Sequence, residues 1–152
     1  VAVNDFCLGS GVGLAGAADI VVAAEGAQFG LPEVDNGALG ALTHLTRLVP
    51  QQRARQMLYT CETAGAEELK DYGTVYEVVP LKELLTLARK VANKIVSKPS
   101  KTIRAAKESA NGIELVNIRN SYRFEQGFTY ELNLAGEGEK ARQAFIDGKR
   151  NT

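Results

Sequence analysis

The chain lacks tryptophan and contains little cysteine, histidine or methionine. Its 152 residues include two cysteines, one histidine and one methionine. Cys7 and Cys61 are far apart in the sequence, which predicts reduced thiols in or near the core rather than a disulfide framework. A single histidine, with no cluster of ligand residues around it, gives no support for a metal site.

Net charge and long apolar runs are also absent. Lysine plus arginine and aspartate plus glutamate each number 18, so the formal net charge is +0. Such a balance does not favour binding to nucleic acid or to an anionic membrane surface. No apolar run approaches the ~18 residues of a membrane helix, and no basic-then-apolar leader opens the sequence. We therefore expect a cytoplasmic globular chain, whose 45% hydrophobic content suffices for its own core.

Glycine is abundant in one stretch, residues 8–39, which reads LGSGVGLAGAADIVVAAEGAQFGLPEVDNGAL. Gly9, Gly11 and Gly13 leave the backbone without side chains, so main-chain N–H groups can approach a ligand closely. The alanine-rich segment that follows predicts a compact helix, whose positive end lies near Ser10 and Gly11. We predict that the N–H groups of Ser10 and Gly11 form half of an oxyanion hole or another anion site.

Two other interpretations of these glycines stay open. Gly11, Gly13 and Gly16 match the dinucleotide fingerprint G-x-G-x-x-G. That fingerprint belongs to a ~30-residue strand–helix–strand unit with an acidic residue ~20 positions on, whereas here the strand at 20–24 follows after barely two helical turns. Alternatively, the stretch is a tightly packed glycine and alanine helix that binds no ligand.

The spacing of apolar residues predicts alternating strands and helices in the first 80 residues, and helices alone after that. Strands are predicted at 1–8, 19–24, 27–30 and 75–79, and short helices at 11–18, 40–49, 51–59 and 66–70. This order implies crossover connections, parallel pairing and an α/β fold class. Later helices are predicted at 82–97, 100–111, 115–134 and 139–147, with a hinge at Gly136 and Gly138. Because residues 1–4 already resemble a core strand, we expect that an upstream portion is missing.

Three blocks of sequence together resemble the crotonase (enoyl-CoA hydratase/isomerase) superfamily. They are VNDFCLGSGVGL at 3–14, DIVVA at 19–23 and AQFGLPE at 27–33. Weaker similarity extends through the helical tail, so the resemblance covers nearly the whole chain. Within the family, the loop DNGALG at 35–40, His44, and SYRFEQGFTYELNL at 121–134 look closest to the actinobacterial steroid-catabolic branch. Members of that branch hydrolytically open the last cholesterol-derived ring as a CoA thioester.

The resemblance implies an α/β spiral of ββα turns, with its C-terminal part in residues 1–80. Residues 81–152 would form a helical tail that assembles trimers or dimers of trimers. The implied partner is an acyl-CoA thioester substrate, with no separate cofactor. Two backbone N–H groups would hold the thioester oxygen, one at Ser10 or Gly11 and the other upstream of this sequence.

One position departs from the hydratase pattern, in which two glutamates flank a water molecule. This chain has Gly13 at the first of those positions and Glu33 at the second. Hydration by two carboxylates is therefore in doubt, whereas the space at Gly13 suits a bulky fused-ring acyl group. Glu33 remains a candidate general acid or base, because burial beside Pro32 would raise its pKa toward neutrality. Alternatively, Glu33 is a loop glutamate that caps the next helix.

Asp35 and His44 complete the candidate catalytic residues. Asp35 could orient water, or it could stabilise the turn that precedes Gly37. His44 could face the acyl pocket, or it could pack against Leu48. By the family pattern, the residues expected to contact substrate are Gly9, Gly13 and Leu31, together with Phe145 and Lys149 from the C-terminal helix of a neighbouring subunit.

Two classes of function remain for the chain. As an enzyme, it would catalyse hydrolytic C–C ring opening of a steroid-derived bicyclic CoA thioester, with enoyl-CoA hydration or isomerisation as the alternative. As a truncated, non-catalytic fragment, it would only assemble with other copies.

Overall fold

The strands of the chain form two small sheets in a computed structural model that describes residues 1–114 and 117–148. The strands are β1 (Ala2–Val3), β2 (Phe6–Leu8), β3 (Val21–Ala24), β4 (Gln28–Gly30), β5 (Ala64–Gly65) and β6 (Val75–Val79). One sheet has the order β1-β3-β6, with both pairs parallel. The other has the order β2-β4-β5, in which β2 and β4 are parallel and β5 is antiparallel. The predicted α/β class and parallel pairing are confirmed.

The single strand predicted at 1–8 is wrong, because the chain passes from one sheet to the other within it. β1 pairs with β3 through Ala2 and Val22, and β2 pairs with β4 through Cys7 and Phe29. The exposed residues Asn4 and Asp5 separate the two strands. Asn4 and Asp5 are thus the sequence signal for this step, and the single-strand prediction overlooked it.

The helices follow the predicted order, with different ends. They are α1 (Ser10–Ala17), α2 (Leu42–Leu45), α3 (Gln51–Thr60), α4 (Ala66–Asp71), α5 (Leu84–Val96), α6 (Ser100–Ile113), α7 (Ile118–Leu134) and α8 (Glu137–Ile146). Two 3₁₀ turns cover Val34–Asn36 and Leu81–Glu83. None of the helices in these ranges has the length and apolar character needed to cross a bilayer.

Two helix predictions need correction, and part of a third cannot be compared. The helix predicted at 40–49 is reduced to α2, because Ala41 before it has a left-handed backbone, with φ 61°. The final helix begins at Glu137, so Gly138 lies inside it and the left-handed turn is at Gly136, with φ 78°. The predicted start of the long helix at residue 115 lies outside the described residues.

The core lies between α1, the two sheets and α2 to α4. Its largest fully buried side chains are Phe29, Leu31, Leu45, Met57, Leu69, Val12 and Val75. The small residues of α1 let it lie close to α2. A Cβ atom at Gly16 would be 2.7 Å from the carbonyl carbon of His44, and Arg47 donates a hydrogen bond to the Gly16 carbonyl oxygen. This contact places His44 beside α1.

Gly16→Ala should therefore lower the free energy of unfolding by about 1–3 kcal/mol, because its Cβ would force α1 and α2 apart. Urea unfolding at neutral pH measures the change. The matched control is Gly127→Ala in α7, where an added Cβ meets no atom within 4 Å. The better helix propensity of alanine should raise stability there by up to about 1 kcal/mol. Equal stability of the two variants would contradict the close packing at Gly16.

Candidate functional site

A cavity of about 640 Å³ lies between α1, the start of α2 and one face of α7. It brings together five of the residues predicted for the site: Gly9, Ser10, Gly13, Glu33 and His44. The rest of its wall consists of Leu14, Leu39, Gly40, Ala41, Ile118, Arg119, Tyr122, Arg123 and Gln126. The cavity is thus largely apolar, with charged groups at a few positions, as is typical of small-molecule sites.

The N-terminus of α1 opens onto this cavity. Gly9 precedes the helix with φ +52°, and its N–H donates to the carbonyl of Gly30 on β4 at 3.1 Å. The first turn closes when Gly13 N–H donates to the Gly9 carbonyl at 3.1 Å. The N–H groups of Ser10 and Gly11 precede Gly13 in the first turn, where a helix offers them no carbonyl acceptor. Ser10 lines the cavity, whereas Gly11 lies against the core.

Cys7 lies beneath this first turn. A Cβ at Gly11 would be 3.4 Å from its sulfur atom. Burial raises the pKa of the Cys7 thiol to about 11, so the thiol stays protonated at neutral pH. Cys7 therefore supports the helix and is not a nucleophile.

Glu33 follows Pro32 at the end of β4, and its carboxylate lies over Gly9. A side chain at Gly9 would overlap Oε1 of Glu33, so the carboxylate can reach the start of α1 only beside glycine. Oε2 is buried and has no hydrogen-bond partner among the described residues. Burial raises the pKa of the Glu33 carboxyl, although a hydrogen bond from its own backbone amide opposes the shift. An acid with a raised pKa that faces a cavity is suited to proton transfer.

The alternative that Glu33 caps the next helix finds no support in its side chain. Glu33 precedes the 3₁₀ turn Val34–Asn36, but its carboxylate makes no capping hydrogen bond there. Its backbone carbonyl accepts hydrogen bonds from Asn36 at 2.9 Å and Ala38 at 3.0 Å. The backbone therefore stabilises the turn, and the carboxylate faces the cavity.

His44 also faces the cavity. Its ring packs edge-on against Tyr122 of α7, with 5.6 Å between ring centroids and 81° between planes. Nδ1 is buried without a partner in the described parts of the chain. Burial lowers the pKa of the imidazole, and the charge of Arg47 lowers it further. The ring is therefore neutral near pH 7, and it shapes the apolar wall.

Three other predicted site residues do not line the cavity. Asp35 is exposed on the 3₁₀ turn, beside Cys61. Leu31 is fully buried in the core, since it continues the buried strand β4. Phe145 lies on α8 with 61% of its surface exposed. Lys149 lies outside the described residues.

Sequence reasoning missed the contribution of α7 to the site. Its residues Ile118, Arg119, Tyr122, Arg123 and Gln126 form one wall of the cavity. On an adjacent face, Glu125 is buried, with 8% of its surface exposed, and it binds the backbone of Leu42. The signal available in the sequence was the helical spacing of Tyr122, Arg123 and Gln126, whereas the family resemblance assigns this helix to subunit assembly.

The raised pKa of Glu33 predicts a pH-dependent stability. Because the folded chain holds this proton more tightly than the unfolded chain, stability should fall as pH rises from the ordinary glutamate pKa through the raised value. Glu33→Gln has no carboxyl group at this position, so its free energy of unfolding should not fall in this way. The free energy of unfolding of Glu33→Gln, relative to that of the unmodified protein, should therefore increase from pH 4 to pH 7. Urea unfolding across that range measures it, with the exposed Glu83→Gln as control. A constant difference between Glu33→Gln and the unmodified protein would contradict the shift.

The chain is similar in sequence to known proteins. A family model described as enoyl-CoA hydratase/isomerase matches residues 1–151. A (7aS)-7a-methyl-1,5-dioxo-2,3,5,6,7,7a-hexahydro-1H-indene-carboxyl-CoA hydrolase from Rhodococcus jostii is 54% identical over 97% of the chain. A protein of the same description from Mycobacterium tuberculosis is 52% identical over 95% of the chain. The chain spans 57% and 59% of the lengths of these two relatives.

Solved structures show the same fold. A carnitinyl-CoA dehydratase from Mycobacterium avium superimposes with a TM-score of 0.87 at 28% identity, over 97% of this chain and 60% of the other. An enoyl-CoA hydratase from Mycobacterium tuberculosis gives a TM-score of 0.78 at 28% identity, over 88% of this chain and 62% of the other. The chain therefore has the α/β fold of part of an enoyl-CoA hydratase.

Proposed function

Since the chain belongs to the enoyl-CoA hydratase/isomerase family, we propose that the intact protein hydrolytically opens one ring of a steroid-derived bicyclic acyl-CoA. The observation that carries this proposal is the arrangement of Glu33 and Gly13 in the cavity. Glu33 lies beside the N-terminal amides of α1, and at Gly13 an added Cβ would be 3.9 Å from its nearest neighbour, Ala41. The cavity thus combines one acid–base group with room for a fused ring.

In the proposed reaction, Glu33 takes a proton from water, and the water oxygen adds to the ring ketone carbon. The tetrahedral alkoxide then collapses and the adjacent ring C–C bond breaks. Its electron pair passes through the conjugated ring onto the thioester oxygen, giving an enolate. Protonated Glu33 returns a proton to carbon. One water is consumed, and one carboxylic acid and one new C–H bond are formed.

The amides at the start of α1 stabilise the enolate in this scheme. We assign one donor to the N–H of Ser10, which lines the cavity, with Gly11 as the neighbouring candidate. Donors fixed in a folded backbone need no reorganisation as charge develops, and one such donor is typically worth about 10²–10³ in rate. The same donors would stabilise the enolate in enoyl-CoA hydration, so their presence does not distinguish ring hydrolysis from hydration.

Arg119 and Arg123 favour ring opening over hydration. Both line the cavity from α7, and neither forms an ion pair with a carboxylate of residues 1–114 or 117–148. Ring hydrolysis creates a new carboxylate, whereas hydration of a double bond creates no charge. Two unpaired guanidinium groups at the wall would stabilise an acidic product.

We also propose that the helical tail, residues 81–152, forms the contacts of a trimer or a dimer of trimers around the core of residues 1–80. The supporting observation is an apolar face on α7, where Phe124, Phe128, Tyr130 and Leu134 are exposed by 43% to 89%. A patch of this kind is rarely left in water and marks an interaction surface. In that assembly Phe145 and Lys149 would contact CoA bound to a neighbouring subunit.

The intact protein, incubated with the bicyclic dione-CoA and separately with crotonyl-CoA, tests the reaction. We expect turnover of the dione and little hydration of crotonyl-CoA. Both reactions add one water, so ¹³C NMR must show the conversion of a ring ketone to a carboxylate. Glu33→Gln should lower turnover of the dione by about 10²–10⁴-fold. Brisk hydration of crotonyl-CoA, with no carboxylate formed from the dione, would refute ring hydrolysis.

Substitution of Gly13 tests the role of the open space. Gly13→Glu and Gly13→Gln should both reduce dione turnover by at least about tenfold, because either side chain occupies room needed by the fused ring. The Gln variant matches Glu in size, so a gain of crotonyl-CoA hydration confined to Gly13→Glu would identify a restored second carboxylate. Full activity of both variants toward the dione would exclude the space at Gly13 as the determinant of substrate choice.

A further inference from the structure

The buried carboxylate of Glu125 binds the backbone of the segment that forms one wall of the cavity. Both of its oxygens accept the N–H of Leu42, at 3.1 Å and 3.2 Å. One helical turn later, the hydroxyl of Thr129 accepts the N–H of Leu39 at 3.2 Å and donates to the carbonyl of Leu39 at 2.9 Å. We call these two side chains, Glu125 and Thr129, the α7 clasp. The clasp fixes both ends of the segment 39–42.

That segment has a conformation that needs support. Ala41 has φ 61°, a left-handed geometry that costs an L-residue about 1–2 kcal/mol. Ala41 is also the N-cap residue of α2, and a methyl group cannot cap a helix. Glu125 supplies the missing acceptor from another helix. Since Leu39, Gly40 and Ala41 all line the cavity, the clasp controls the shape of the acyl site.

Glu33 lies close to the same segment, at Gly40. Its Cγ is 3.9 Å from the position of a Cβ at Gly40. Burial raises the pKa of the Glu125 carboxyl, the Leu42 amide opposes that shift, and the charge of Glu33 raises it further. The other titratable or charged groups that face the cavity are His44 on α2 and Arg119, Tyr122 and Arg123 on α7.

We propose that Glu125 is a positioning residue of this site, which fixes the 39–42 wall through Leu42 and acts as a second carboxylate coupled to Glu33. Its catalytic consequence rests on the ring hydrolysis proposed above. Because the Glu33 charge makes ionisation of Glu125 harder, the two carboxyl groups lose their protons one after the other rather than together as pH rises. Between the two ionisations the site carries one negative charge instead of two. Ionisation of Glu125 at higher pH adds a second charge, which repels the enolate.

The coupling is tested first without turnover, in the intact protein, by ¹³C NMR titration of the glutamate carboxyl carbons. In Glu33→Gln, the midpoint of Glu125 should move to lower pH, because the neighbouring charge is gone. An unchanged midpoint would overturn the coupling. This result does not depend on any substrate, so it stands apart from failure of the proposed reaction.

The pH profile of kcat/KM for the dione tests the catalytic consequence. Glu125→Gln keeps an oxygen acceptor for Leu42, so it should retain the acid limb of the profile and lose the basic limb. A basic limb that persists would show that Glu125 is only a structural cap. The matched control is Glu131→Gln, an exposed glutamate on α7, which should keep both limbs.

Loss of the clasp itself should have a different effect. Glu125→Ala removes the acceptor for Leu42, and displacement of the wall should lower kcat/KM by roughly 10–100-fold at all pH values. Thr129→Val releases only Leu39, so it tests the wall if Glu125→Ala fails to fold. Activity of Thr129→Val equal to that of the unmodified protein would contradict a role of the clasp in shaping the site.

Discussion

The contact between the Glu33 carboxylate and Gly9 is the constraint on which the site depends. Gly9 has a left-handed backbone and no side chain, so a carboxylate can lie over the first turn of α1. That position buries the carboxylate, raises its pKa, and brings an acid–base group beside amides that have no helical acceptor. In the proposed reaction, this one contact would place proton transfer and anion stabilisation within a single cavity.

The core and the helical tail contribute differently to this cavity. In the proposed function the core supplies the reacting groups, because α1 and the loop after β4 hold the amides and Glu33. The tail supplies shape and charge, because α7 provides the aromatic wall, two arginines and the clasp on segment 39–42. If the proposed trimer forms through the apolar, exposed face of α7, assembly and the shape of the cavity would depend on the same helix.

The glycine-rich stretch and the P-E pair allowed much of the site to be predicted from the sequence. Gly9, Ser10, Gly13, Glu33 and His44 all line the cavity, whereas Gly11 lies beside Cys7; their predicted roles stay predictions. Asp35, Leu31 and Phe145 do not line the cavity, because a turn, a buried strand and a separate helix carry them elsewhere. The roles of Glu125 and Thr129 were not predicted. Their partners lie 83 and 90 positions away, and buried glutamate has no signature in a helical pattern.

The sequence by itself determined the α/β class, the order of the elements and the chemical groups at the start of α1. Those features follow from residue types at spacings of a few positions, which local backbone preferences can express. Only the tertiary structure decided that segment 1–8 divides between two sheets, that Ala41 is left-handed, and that α7 closes the cavity. These outcomes depend on packing between distant parts of the chain, where burial and hydrogen bonding outweigh local preference.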